Sequence, residues 1–296
     1  LSEQQIDLVD RFLREYSGGI EPPSKLRFME ANFLAHKKDF GSAFDKFIEA
    51  NSLKSSGFYE EVQNSRASIH EHYVRISNWV PHTFNSAQEQ IKKLFILGPS
   101  RSGKSSLEHM LKYNKKVMAN YEAINLTSII ELNVNQELNR SSIFENVYYK
   151  KEKDLLDLNF EAIISTNPFA LFHLDQICEA ISGCYFIFIE RNELDLASEI
   201  FSTDYVLGNF YSYDPADIMQ YLKAYNLIKE VFLTKLPAQT LSVSYENIVM
   251  DQASVIEKIN RFMNIDFSIK EPSRQRPIKT IKSPFRTYFN NLHPVV

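Results

Sequence analysis

The sequence predicts an α/β fold, a parallel sheet flanked by helices, preceded by an all-helical N-terminal region. Three observations carry this expectation. Short, largely apolar runs recur at 94–97, 162–164, 185–189 and 240–243 with helical spacing between them, as strands buried on both faces of a parallel sheet require. Residues before about 80 show helical spacing instead. Glycine is scarce, 8 of 296 residues, against roughly 7% in average proteins, which suits a helix-rich chain. Each glycine kept is expected where the backbone needs it.

Residues 3–16 place Ile6, Leu8, Val9, Phe12 and Leu13 at helical spacing until Gly18-Gly19 interrupts it. Pro22-Pro23 suits the start of the next helix, because proline is tolerated where the first N–H groups have no intrahelical acceptor. Ala31, Leu34, Ala43, Phe47 and Ala50 follow at spacings that bring two helices together, the alanines allowing close approach and the larger side chains filling the gap. These positions resemble the packing positions of a tetratricopeptide repeat (TPR), although a plain helical hairpin gives the same pattern. One such pair cannot bury its own faces, so helices at 1–16 and about 56–78 are expected to cap it. Trp79-Val80-Pro81-His82 then ends the helical texture. The expected division is a TPR-like helical region at 1–85 and an α/β domain at 86–296. Within the latter, 131–158 is polar, and its charged run from Lys150 to Lys153 reads as a solvated face or a lid.

Composition excludes several classes. With 44% hydrophobic and 24% charged residues the chain is globular, neither disordered nor collagen-like. A net charge of -4 and a pI near 6.0 argue against nucleic acid as a partner. No apolar run approaches the roughly 20 residues that span a bilayer. Cys178 and Cys184 are too few for a disulfide framework or a structural zinc site, and Leu1-Ser2-Glu3-Gln4-Gln5 has no signal-peptide character. A cytoplasmic address is therefore expected.

The chemistry concentrates after the run at 94–97. Gly98-Pro99-Ser100-Arg101-Ser102-Gly103-Lys104-Ser105-Ser106 reads G-x-x-x-x-G-K-S and leads into a helix through Leu107, Met110 and Leu111. A strand, a glycine loop and a helix N-terminus in this order cradle phosphate. The glycines permit the tight fold, backbone N–H groups converge, and Arg101 and Lys104 add positive charge. The loop alone leaves the phosphate compound open. Taken by itself it favours an ATP-dependent kinase or NTPase, with Lys104 on the terminal phosphates, Ser105 on magnesium and Glu190 as the acid at a neighbouring strand end.

The rest of the chain resembles the tetratricopeptide-repeat-containing branch of the sulfotransferases, related to the tyrosylprotein type, from the hairpin at 24–55 to Pro294. In that family the loop at Ser100–Ser105 binds the 5′-phosphosulfate of PAPS, with Lys104 and Ser105 standing where two threonines are usual. The segment ending in Glu122 resembles the one that supplies the general base. Arg191-Asn192-Glu193-Leu194-Asp195 resembles the motif whose Arg and Ser hold the 3′-phosphate, giving Arg191 and Ser198. Tyr245-Glu246 stands where a Tyr-Glu pair lies near the nucleotide. The acid-free C-terminal run Arg274, Arg276, Lys279, Lys282 and Arg286 resembles a basic segment folded over the 3′-phosphate, with Arg276-Pro277-Ile278 and Ser283 matching its outline. Two departures stand out: Glu199 at the family serine, and Thr166 at a usual lysine.

The resemblance thus implies a P-loop sulfotransferase domain at 86–296 that transfers a sulfuryl group from PAPS to an acceptor hydroxyl. Glu122, Lys104 and Arg101 are its catalytic candidates. Gly98, Ser100, Arg101, Ser102, Gly103, Lys104, Ser105, Ser106, Arg191, Ser198, Tyr245 and Arg276 are its nucleotide-binding candidates. The expected partners are the nucleotide, a hydroxyl-bearing acceptor (carbohydrate, small molecule or protein tyrosine) and a protein met through the TPR-like region. Neither a metal nor a membrane span is expected. The kinase or NTPase and a catalytically silent nucleotide-binding scaffold stay open beside it. Aromatics at 210, 211, 213, 221 and 225 are assigned to packing.

Overall fold

The computed structural model describes residues 23–81, 91–112, 114–119, 159–180, 182–267 and 282–292, together with residue 11. Apart from residue 11, the helix expected over 3–16 lies outside these residues, as does the whole stretch 131–158. Contacts divide the chain into two compact units that interleave along the sequence. One joins Leu1–Ile69, Asn192–Lys223 and Lys282–Val296; the other joins His70–Arg191 and Ala224–Ile281.

Among the described residues the second unit holds five parallel strands: β1 (Lys92–Leu97), β2 (Val117–Ala119), β3 (Ala162–Ser165), β4 (Cys184–Glu190) and β5 (Thr240–Ser244), in the order β2-β3-β1-β4-β5. Four coincide with the apolar runs of the sequence; β2, three residues long, is too short to announce itself by pattern. Leu94 lies opposite both Ile164 and Tyr185, which centres β1 between β3 and β4. Alternation sends Leu94, Ile96, Ile187, Ile189 and Val243 to one face, into a core with Leu107, Met110, Ile259 and Met263. Phe186 and Phe188 pack against Phe232, at 5.1 and 6.1 Å between ring centroids, and Trp79 stacks on the same ring at 5.5 Å.

After β3, a 3₁₀ turn (Pro168–His173) leads into a short helix (Leu174–Ala180). Arg75 donates from Nε to buried Asp175 at 2.7 Å, and His72 lies with its ring 5.0 Å from that of His173. Burial, reinforced by the positive neighbours His173 and Arg75, pushes the pKa of His72 down to about 4; burial lowers that of His173 as well.

In the first unit, α1 (Pro23–His36) and α2 (Phe40–Gly57) form a hairpin. Asp39 caps α2 by accepting from the Ser42 N–H at 3.2 Å. Ala31, Ala43 and Ala50 are completely buried, and Phe47 packs on Phe28 with centroids 5.8 Å apart. The alanine spacing therefore marks a close helix pair, while Leu34 is only half-buried beside buried Phe33. Among the described residues, distant chain contributes to the cover of this pair. α3 (Tyr59–Asn78) follows α2 directly and gives only its first part to this unit. The helix Glu193–Phe201 brings Phe201 to 5.5 Å from Phe44, and Phe285, ahead of the helix Arg286–Leu292, meets Phe47 edge-on at 5.2 Å. Lys54 is buried against the carboxylate of Asp204 and the Tyr205 carbonyl. Among the described residues no helix is long and apolar enough to cross a membrane.

Two outcomes follow from this packing. Phe47→Ala removes a side chain gripped by both a near and a remote ring and should cost about 3–5 kcal/mol in urea denaturation. Half-exposed Leu53→Ala should stay within about 0.5 kcal/mol. The histidines supply the second. Their folded pKa values lie below the ordinary 6.5, so the unfolded chain binds protons first. Stability is whole above about pH 6.5 and falls as pH drops toward 4. Melting temperatures across that window should show this decline, and His72→Phe should flatten it.

Candidate functional site

β1 delivers the chain at Leu97 into the loop 98–103, and α4 (Lys104–Leu111) begins where the loop ends. Gly98 needs its missing side chain: a Cβ there would collide with the hydroxyl of Ser102 and approach its Cβ to 3.1 Å. Ser102 is completely buried and donates its backbone N–H to Pro99 O at 3.3 Å. Arg101 and Gly103 both adopt left-handed backbone, at φ 66 and 106 degrees. The chain thereby reverses twice in three residues and enters the helix with Gly103 as its N-cap, whose carbonyl accepts from Ser106 at 3.0 Å and Leu107 at 3.1 Å. By helix geometry the earliest N–H groups point back out of the helix start, and the peptide dipoles put positive potential there. Arg101 and Ser105 are exposed at this end, Ser100 and Ser106 partly so. Lys104 turns its ammonium onto the loop, donating to Pro99 O at 3.1 Å and to Gly98 O. Groups in this arrangement can cradle an anion.

Two further strand ends close on the cradle. Tyr245 follows β5 directly, and a Cβ on Gly103 would lie 2.5 Å from its ring edge. The face of the same ring carries the guanidinium of Arg191, 4.4 Å from the centroid. Arg191 follows β4 and donates from Nη1 to Arg101 O at 2.8 Å. The loop, Arg191 and Tyr245 are thus brought together as the sequence leads one to expect. Tyr245 is only 4% exposed, so its ring buttresses Arg191 and the loop rather than offering a face to a ligand.

Other candidates fare differently. Ser198 is completely buried, and its hydroxyl donates to Asp195 O at 3.1 Å within its own helix, surroundings that lend a phosphate-binding role no support. Arg286 is no spare positive charge of the tail: it pairs with Asp195 at 3.2 Å, and the same carboxylate accepts from the Ser283 N–H at 3.0 Å. Glu190 is engaged by Lys229 at 2.7 Å. Burial alone would raise its pKa, but hydrogen bonding led by Lys229 outweighs this and holds it below the ordinary value. An acid so paired suits magnesium poorly. Glu122 and Arg276 lie outside the described residues.

Sequence reasoning missed Glu108. It lies four residues after Lys104, is 1% exposed, and accepts from the Thr166 hydroxyl at 3.3 Å, tying α4 to the end of β3. The signal was present, since helical spacing puts residue 108 on the same buried face as Leu107, Met110 and Leu111. Thr166, unusual by resemblance, is the partner of that carboxylate.

Residues 131–268 match the model of the family described as the sulfotransferase family. The match includes β3, β4 and β5 with Arg191 and Tyr245, and begins after the phosphate loop. An uncharacterized protein of Aquifex aeolicus is 20% identical over 306 residues; the match covers 94% of this chain and 40% of the relative's length. Among solved structures, a sulfotransferase from Alicyclobacillus acidocaldarius matches with a TM-score of 0.42 and 14% identity over 68% of this chain and 92% of its own. A Mycobacterium tuberculosis sulfotransferase matches with a TM-score of 0.41 and 12% identity over 99% of this chain and 98% of its own.

The geometry makes Gly103 the most demanding position of the loop. Gly103→Ala forces a Cβ into the Tyr245 ring at a left-handed φ, so affinity for pyrophosphate should fall about tenfold or more by calorimetry. Gly57→Ala, whose Cβ meets nothing within 4 Å, should leave that affinity unchanged.

Proposed function

We propose that the chain is a sulfotransferase that moves a sulfuryl group from PAPS to an acceptor hydroxyl. The observation that carries this reading is the seating of Arg191 against the phosphate loop. A second cation at a neighbouring strand end suits a nucleotide that bears phosphate at both its 5′ and 3′ positions. The sulfotransferase-family match over 131–268 supports it and includes that arginine.

In this reading Arg101, Lys104 and the N–H groups of 98–106 hold the 5′-phosphosulfate and stabilise charge on the bridge oxygen as the S–O bond breaks. Glu122 takes the proton of the acceptor hydroxyl as that oxygen attacks sulfur. Arg191 takes the 3′-phosphate, kept in place by Tyr245 beneath it, and Arg276 joins it. The acceptor is a carbohydrate, a small molecule or a protein tyrosine. A magnesium-dependent kinase is the second reading, favoured by Lys104-Ser105 completing G-x-x-x-x-G-K-S. The pairing of Glu190 with Lys229 weighs against it.

Thermal unfolding separates the two. Bisphosphoadenosine at about a hundred times its Kd adds about 2.7 kcal/mol, without any metal. That should raise the melting temperature by roughly 4 °C. A rise with ATP and magnesium, and none with bisphosphoadenosine, would overturn sulfuryl transfer in favour of phosphoryl transfer.

A further inference from the structure

We infer that Tyr225 is a positioning residue that sets the span between the phosphate loop and Arg191; this rests on the donor reading above. Tyr225 sits in the helix Pro215–Lys235 and is 3% exposed. By sequence it reads as one more packing aromatic. Its ring does pack, lying 5.9 Å from that of Phe188. Its hydroxyl does something more specific. It donates to Ile189 O at 2.8 Å, with Leu97 O also in reach at 3.3 Å.

Those two carbonyls stand where the sheet opens. The last register pair between β1 and β4 is Leu97 with Phe188. Beyond it one chain turns into Gly98 and the loop, and the other runs through Glu190 to Arg191. A single O–H thus bridges the last carbonyl before the phosphate loop and the carbonyl two residues before the arginine. Parallel strands diverge at their carboxyl ends, where ligands of open α/β sheets bind. Nothing in the β1–β4 ladder holds that separation past Leu97. Past that pair, Arg191 bonds Arg101 O and Tyr225 reaches both strand ends.

A ligand that touches only the loop is indifferent to the span. One with phosphate at both ends measures it, because holding two groups at the right separation converts the second contact into an intramolecular one. Tyr225 therefore contributes to preference for the doubly phosphorylated nucleotide without touching it.

Tyr225→Phe removes one oxygen and keeps the ring. Affinity for bisphosphoadenosine should fall about tenfold, while affinity for pyrophosphate, which needs the loop alone, should change less than about twofold. Phe188→Leu keeps the hydroxyl but takes away the ring that seats it, and should give a smaller loss with the same selectivity. This second variant decides the matter should Tyr225→Phe not fold. Equal losses for both ligands, or none for either, would reduce Tyr225 to packing and sink the proposal. Failure of the donor reading looks different: the unaltered protein itself would not prefer bisphosphoadenosine, and the proposal would fall with it.

Discussion

The contact between Tyr245 and the bare Cα of Gly103 is the constraint on which the candidate site depends. The ring fills space that any side chain at 103 would claim, so the loop can close only with glycine there. Its face then carries the Arg191 guanidinium, an attraction of about 0.5 to 2 kcal/mol depending on how dry it is. Arg191 returns to the loop by bonding the Arg101 carbonyl. Three strand ends, those of β1, β4 and β5, are thereby held around one anion cradle. Positive charge gathered this tightly repels itself. The aromatic face and the loop carbonyls make the arrangement tolerable before an anion arrives.

Several buried charges in the two units are given a partner of opposite sign. Lys54 meets Asp204, Asp195 meets Arg286 and the Ser283 N–H, Asp175 meets Arg75, and Lys229 meets Glu190. Such pairs add little net stability over apolar packing, but removing one partner leaves a charge stranded and is costly. Their effect is to specify which segments come together. In the first unit Asp195 gathers the chain around 283–286, which in turn presents Phe285 to the hairpin.

Legibility followed sequence distance. Four of five strands were readable because a parallel strand buried on both faces is apolar throughout, and the phosphate loop because its glycines and charges are contiguous. The alanines at 31, 43 and 50 were readable as a close helix pair, since helix period maps spacing directly onto a face. Part of the cover over that pair was not, because it comes from residues near 201 and 285. The contacts of Ser198 and Arg286 were not readable for a related reason. Their types suit phosphate, but a neighbouring backbone carbonyl and a distant carboxylate engage them first. Glu108 and Thr166 escaped notice as a pair because they are 58 residues apart and neither belongs to a motif.

By itself the sequence determined the kinds of element, their order and the glycine loop between a strand and a helix, all properties of local pattern. Only the tertiary structure decided that the compact units interleave, that Tyr245 supports Arg191 rather than facing a ligand, and that Tyr225 ties two strand ends. Those are matters of which remote groups share one small volume. A one-dimensional pattern carries the chemistry of each side chain, but the hydrogen bond or ring contact that uses it exists only once the chain has closed.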